Sequence, residues 1–556
     1  MRSKYGVNKE ITGEYDKSLA IRCSNGTFVG EEDDGVIAFK GVPFAKQPVG
    51  GLRWKEPVDA PDSDEVYEAK YFGHTPIQSE WPSEVASYYP QGEDCLNLNI
   101  WVNRENREEK KPVMVFFHGG SYGWGGTSDP IYDGQNLVKQ YSDIILVTVG
   151  YRVGIMGFID LAPLDEMGEY EKSGNLGLLD QVCGLRWIKK NIKAFGGDPD
   201  NVTIWGESAG AGSVSLLPLI DGVGGLFHKV ISESGSVALT YSTEECRRLT
   251  DAIIKEAKAE TLDDLLNLTV EELKDIADKV GDYSNYPERD GIVLPKDPYA
   301  AYESGLKTPC DMLIGTNADE GRYWLNEMGL YGNKTTGHLA YKVGMPQLYK
   351  SDVARFSASD REKAEKFIQM QEMDRPWQYT EFYNELIFRI PALKQAEEVS
   401  KNGGNAYVYY WTYPSALDEL HACHAVELAY VFRNPHITIY TGGDVNLELA
   451  DKVQDMWTNF ARTGNPSTDE YNWEPYTPSN RKTMVIGEEI HMVENLMEEK
   501  RELIEPLRKY WVNGTYVGTL ESMGKNFMKF VIPVAIAVPT LLIGGFVRKL
   551  FKDLIH

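Results

Sequence analysis

A short apolar run, Val202-Thr-Ile-Trp205, leads directly into Gly206-Glu-Ser-Ala-Gly210, and small residues able to open a helix follow. This stretch limits the possible folds more than any other. A short continuous apolar run reads as a strand covered on both faces. The two glycines permit a cramped strand-to-helix turn, which lifts the serine hydroxyl above the sheet edge. A Gly/Ser turn alone is a common loop. The preceding strand makes this one a candidate nucleophile turn centred on Ser208.

The surrounding sequence repeats the strand–helix alternation. Pro112-Val-Met-Val-Phe-Phe and Ile144-Ile-Leu-Val-Thr-Val are further short apolar runs. Between Asn175 and Asn191, Leu178, Leu179, Val182, Leu185, Trp187 and Ile188 recur at helical spacing. Strand–helix–strand order predicts a mainly parallel sheet wrapped by helices. Residues 244–280 and 335–400 turn acidic or aromatic with helical period, and read as insertions capping that sheet. Val408-Tyr-Tyr-Trp-Thr-Tyr returns to strand character. A sheet of this kind with insertions can occupy a single catalytic domain over residues 1–520, long as that is.

A serine nucleophile needs donors for the oxyanion formed on attack. His118-Gly-Gly-Ser121 follows the Pro112–Phe117 run directly, where a hydrolase of this type supplies backbone N–H groups. The amide after the nucleophile, on Ala209, completes such a site. The alternative, a glycine-rich phosphate loop, lacks Walker or dinucleotide spacing. His421, Cys423, His424 and Glu427 are all metal-ligand types, but no second ligand set accompanies them, so neither metal nor cofactor is expected.

Charge restricts the partners. Lys and Arg number 57 against 83 Asp and Glu, a net charge of −26 that repels phosphate backbones and argues against nucleic acid. The 6 cysteines include no CxxC pair, and the first residues lack the apolar core of a signal peptide. Both features predict a cytoplasmic catalytic body. Asn-X-Ser/Thr sequons such as Asn25-Gly-Thr and Asn201-Val-Thr would then go unglycosylated. At the far end, Phe530 to Val547 carries no charge and is flanked by Lys525, Lys529, Arg548, Lys549 and Lys552. As a helix this run spans roughly 27 Å, close to a bilayer core, so residues 525–556 are expected to form a transmembrane tail.

Many segments together resemble the type-B carboxylesterases, the group that includes cholinesterases and bacterial para-nitrobenzyl esterases. They include Phe39-Lys-Gly-Val-Pro-Phe-Ala, Leu52-Arg-Trp, Glu93-Asp-Cys-Leu-Asn-Leu-Asn, Gly150-Tyr-Arg-Val-Gly, Gly174-Asn-Leu-Gly-Leu-Leu-Asp-Gln, Phe195-Gly-Gly-Asp-Pro and Ala461-Arg-Thr-Gly-Asn-Pro. The likeness runs in order over roughly residues 18 to 512. It implies an α/β-hydrolase fold and hydrolysis of a small-molecule ester through a covalent acyl-serine. The acid would lie in Asn317-Ala-Asp-Glu-Gly321. The residues alone leave Asp319 and Glu320 open; the family pattern selects Glu320. It likewise selects His424 over His421 as base, from the spacing to Glu427. Ser…Glu…His is the α/β-hydrolase order.

The resemblance also implies an oxyanion hole of Gly120, Ser121 and Ala209, with Ser121 where relatives commonly carry a third glycine. Glu207 would line the pocket, as in relatives that bind cationic substrates, and Trp81, Tyr88 and Tyr89 would wall its entrance. Arg53 with Glu93, and Arg152 with Asp180, would form buried ion pairs. Cys95 matches a disulfide cysteine of secreted members, but its usual partner falls near Pro76 and is missing. A catalytically silent adhesion or scaffold protein on the same fold is the rival reading; such relatives typically lack the serine or the histidine.

Overall fold

The structure, a computed structural model, describes residues 6–79, 90–105, 110–280, 286–323, 345–373 and 375–510. The expected entrance aromatics Trp81, Tyr88 and Tyr89, and the tail 525–556, lie outside the described residues.

The strands in chain order are β1 (Ala20–Cys23), β2 (Gly26–Val29), β3 (Glu31–Asp33), β4 (Val36–Pro43), β5 (Val66–Glu68), β6 (Asn97–Asn103) and β7 (Lys111–Phe117). They continue as β8 (Ile145–Val149), β9 (Gly197–Glu207), β10 (Lys229–Glu233), β11 (Asp311–Asn317), β12 (Ala406–Trp411), β13 (Lys482–Ile486) and β14 (Ile490–Glu494). Among the described residues, β1, β2 and β5 form a small sheet, and the rest an 11-stranded sheet ordered β14-β13-β12-β11-β10-β9-β7-β8-β6-β4-β3. The centre, from β8 across to β13, is parallel, while β14 and the β6–β4–β3 edge are antiparallel. This is the mainly parallel mixed sheet of an α/β-hydrolase fold.

The apolar runs form strands because both of their faces are covered. Along β7, Val113, Val115 and Phe117 enter one hydrophobic cluster while Met114 and Phe116 enter another on the opposite face. β8 and β9 divide in the same way, with Val147 and Ile204 on the first face and Leu146 and Trp205 on the second. That is the two-residue period of a strand read against two cores. The helix Leu176–Asn191 covers the first face, and Leu447–Thr463, capped by Asn446, covers the second.

The 244–280 insertion forms the helices Thr243–Ala257, Leu262–Leu266 and Val270–Val280, whose Leu249, Ile253, Leu265, Leu273 and Ile276 close a third cluster over Trp54 and Leu161. Where described, the second insertion is helical as well, and contains a π-helical turn at Asn384–Arg389. Arg53 meets Glu93 at 2.6 and 2.8 Å, and Arg152 meets Asp180 at 2.8 and 2.7 Å, both pairs buried. All six cysteines are buried and free. Among the described residues no helix is long and apolar enough to cross a membrane.

Candidate active site

The site gathers at the carboxyl ends of the parallel strands, where α/β sheets place their ligands. β7 and β9 are neighbours, with Phe117 opposite Gly206, so the loops leaving them meet. One carries His118–Tyr122, the other Ser208. Two strands further on, β11 runs into the turn holding Glu320, and the loop after β12 carries His424.

Ser208 stands between β9 and the helix Ala209–Leu216 with φ +56° and ψ −120°, a conformation that costs an L-residue on the order of 1–3 kcal/mol. Its surroundings hold it there. Ser208 N–H donates to Glu233 O at 2.8 Å, and Ser208 O accepts from Gly212 N–H at 2.9 Å. The flanking glycines are required by close approach. A Cβ on Gly206 would sit 2.4 Å from Gly210 C, and one on Gly210 would sit 2.0 Å from Phe117 O. Ala209, as the first helical residue, has no intrahelical acceptor for its N–H.

The facing loop is equally tight. Gly120 takes φ +104°, and Ser121 and Tyr122 follow at +51° and +57°. A Cβ on Gly119 would lie 2.8 Å from Glu207 Oε2 and 3.1 Å from Ser208 Cβ, so the loop packs onto the Ser208 turn. Buried His118 stacks on Tyr151 with centroids 4.4 Å apart, and its Nδ1 lies 2.8 Å from Gly119 O. Burial pushes this imidazole down to about 4, so it is a neutral strut near pH 7.

The acid and histidine candidates separate by burial. Glu320 is fully buried, accepts Asn317 N–H at 2.7 Å through Oε1, and sets Oε2 2.6 Å from His424 Nδ1. Asp319 turns outward to Arg322 at 3.0 Å, and the half-exposed His421 stays 4.0 Å from it. Tyr323 and Phe388 flank the His424 ring at 5.5 and 5.3 Å. Its Nε2 lies 3.0 Å from Glu207 Oε1.

Two further buried carboxyls, Glu427 and Glu233, form an acidic cluster with Glu207 and Glu320. Burial, with Glu320 and Glu233 nearby, drives the Glu207 carboxyl well above the usual range. Glu427, which accepts from Asn317 Nδ2, rises in the same way through burial and the other three carboxyls. Glu233 is pushed up to about 8 by burial, against the pull of Trp205 and Trp457 N–H donors. Sequence reasoning passes over Glu233, Asn317 and Phe388. The one available signal is a glutamate closing the strand Lys229-Val-Ile-Ser-Glu233, where an apolar side chain would otherwise be expected.

His421, Cys423, His424 and Glu427 do not converge as ligands, and no group of three such side chains among the described residues could hold a metal ion. Burial raises the Cys423 thiol well above its ordinary range, which suppresses the thiolate needed for attack or ligation.

Residues 17–504 match the Carboxylesterase family. Over 509 residues the chain is 33% identical to the para-nitrobenzyl esterase of Bacillus subtilis (strain 168), covering 87% of this chain and 98% of that one. It is 27% identical to an acetylcholinesterase of Leptinotarsa decemlineata over 84% of this chain and 81% of the relative. The solved structure of a Geobacillus stearothermophilus carboxylesterase superposes with a TM-score of 0.77 at 32% identity, covering 87% of this chain and 99% of that one.

Proposed function

Because this chain belongs to the carboxylesterase family and is a carboxylic ester hydrolase, we propose that it works through Ser208, His424 and Glu320, with an oxyanion hole of Gly120, Ser121 and Ala209. The observation that carries this reading is the buried Glu320–His424 contact of 2.6 Å at the same sheet edge as the kinked Ser208.

In this mechanism His424 Nε2 takes the Ser208 proton as Oγ attacks the ester carbonyl. Glu320 holds Nδ1–H, fixing the tautomer and balancing the imidazolium that forms. The oxyanion gathers donors from the amides of Gly120, Ser121 and Ala209, the last at a helix N-terminus where the dipole favours negative charge. Collapse expels the alkoxide, which leaves as alcohol with the proton from His424. Water then attacks the acyl-serine by the same route and releases the acid. Glu207, beside Nε2, lines the pocket. Burial and the neighbouring Glu320 and Glu233 disfavour its charged form, so it competes less with Glu320 for the imidazolium.

The test is labelling with a fluorophosphonate probe together with a panel of p-nitrophenyl esters of rising acyl length. Active esterase reacts with both, and Ser208→Ala with neither. A silent scaffold would show no labelling in the unaltered chain.

A second proposal concerns the tail. The uncharged run Phe530–Val547 supports reading residues 525–556 as a membrane anchor behind a catalytic body over residues 1–520. Full-length protein should then pellet with membranes and resist carbonate extraction, while a chain ending near Ser522 stays soluble and active. A full-length chain soluble without detergent would end the anchor proposal and leave the esterase reading intact.

A further inference from the structure

Glu233 is fully buried at the end of β10, touches neither reacting atom, and has both carboxyl oxygens engaged. Trp205 Nε1–H donates to Oε2 at 2.7 Å, and Trp457 Nε1–H donates to Oε1 at 2.5 Å. The two indoles come from different bodies: Trp205 lies on β9 just ahead of the nucleophile turn, and Trp457 on the helix Leu447–Thr463 covering the sheet. Each is braced in turn. Trp205 stacks on Phe432 at 4.6 Å, and Trp457 tilts against Tyr409 at 5.3 Å.

The main chain of the same residue reaches the nucleophile. Glu233 pairs with Glu207 in the parallel ladder, and its carbonyl accepts the Ser208 N–H at 2.8 Å. On its other side Ser234 takes φ +54° and donates its N–H to Gly315 O at 2.9 Å, tying β10 to β11. Glu233 is thus a node. Its side chain is held by the helix layer and the elbow strand, and its backbone holds a serine in a conformation that would relax if released.

We propose that Glu233 is a positioning residue of the esterase reaction, its carboxyl clamped by Trp205 and Trp457 so that its carbonyl keeps Ser208 in the attacking conformation. The inference rests on Ser208 being the nucleophile. The chemistry explains why a carboxyl serves here. A carboxyl, ionised or protonated, keeps an oxygen acceptor for each indole, whereas the amide of a glutamine accepts on one side only and turns an NH2 towards the other N–H. An indole left facing that NH2 pushes the strand end away, and small displacements near a reacting atom cost rate steeply.

The experiment uses the full chain with p-nitrophenyl acetate at pH 7 and the rate of fluorophosphonate labelling as a second readout. Glu233→Gln should lower kcat about tenfold with KM within about twofold, and labelling should slow in parallel. Trp457→Phe, which keeps the carboxyl but opens half of the clamp, should lose about threefold. The double variant should fall within about twofold of Glu233→Gln alone, because both changes break one device.

A role confined to fold stability would lower the melting temperature while folded protein kept its kcat and labelling rate, and that result overturns the proposal. So does a double variant whose losses multiply to about thirtyfold, as independent sites would. If Glu233→Gln does not fold, an unchanged kcat and labelling rate in Trp457→Phe still refutes the clamp. Activity retained in Ser208→Ala would instead remove the nucleophile reading, a separate failure from any of these.

Discussion

Ser208 takes its position from close backbone contacts at the ends of the adjacent strands β7, β9 and β10, whereas Glu320 and His424 come from loops 104 residues apart. Around Ser208 the constraint is steric. Gly206, Gly210, Gly119 and Gly120 lie where a Cβ would meet another atom closer than 3 Å. Around Glu320 and His424 it is electrostatic: a buried imidazole is held between carboxyls that only burial and hydrogen bonding can order. Close packing can be written into five consecutive residues, but a balance of buried charges requires the whole fold.

Substitutions in each half should therefore fail differently. The largest effect is expected at Ser208. Ser208→Ala removes one small hydroxyl that is not deeply packed, so melting should shift little while ester turnover drops by about 10⁴ or more. Initial rates on a p-nitrophenyl ester beside a thermal melt check both, and retained turnover in purified variant would end the assignment.

In the second half, paired substitutions break the comparison where the sequence is ambiguous. His424→Ala and Glu320→Gln should cost turnover roughly 10³-fold or more, because the imidazole loses its proton acceptance or its partner. His421→Ala and Asp319→Asn should stay within about a few-fold of the unaltered chain, since both side chains meet solvent. If the outer pair proved the damaging one, the acid and base would be misplaced by one residue and by three.

That ambiguity marks the limit of what the chain discloses. The central strands are legible because both faces of β7, β8 and β9 are apolar, and the Leu176–Asn191 helix because its apolar residues keep helical spacing. Boundaries are less so: β9 begins at Gly197, ahead of the apolar run, because backbone pairing with β7 continues past a register shift into polar residues. The Ser208 turn shows in its glycines. Nothing in Asn317-Ala-Asp-Glu-Gly321 separates Asp319 from Glu320 except family likeness, because burial depends on where β12 and its loop pack. Glu233 is less visible still, as its partners Trp205 and Trp457 lie 28 and 224 residues away.

The steric half gives the next prediction. Gly210→Ala should destabilise the fold by about 3 kcal/mol or more, because its Cβ would meet the Phe117 carbonyl, a backbone atom in the middle of the sheet edge. Denaturant melts should show an earlier midpoint or an insoluble product. A variant as stable as the unaltered chain would mean that the elbow yields, and that the contrast between rigid and electrostatic halves is overstated.

The smallest effect tests the electrostatic half through pH. Free glutamate titrates near about 4.3, whereas Glu207 and Glu427 lie well above the usual range and Glu233 at about 8. An acid whose folded pKa is raised keeps its proton in the native state at pH values where the unfolded chain has released it. Through these groups native protein binds more protons, so their contribution to stability declines as pH rises from about 4.3 towards about 8 and is greatest at the acid end of that window. Paired surface carboxyls such as Asp143 and Asp200, lowered by their Arg462 and Lys189 partners, pull the other way only below the ordinary carboxylate range. Asp129 and Glu288, each pushed up to about 7 by burial, share the neutral window with the cluster of Glu207, Glu233 and Glu427. His118, pushed down to about 4 by burial, opposes all of them below the free imidazole range, so only a comparison with a variant isolates the cluster's part. Glu427→Gln should remove part of the slope, since its amide oxygen can still accept from Asn317 and carries no charge at any pH. Melting temperatures of the two proteins should nearly coincide at pH 5 and separate by a few °C at pH 8, with the variant higher. A constant offset between pH 5 and 8 would place the pH dependence elsewhere, and a variant that loses more stability at pH 8 than at pH 5 would reverse the sign of the argument.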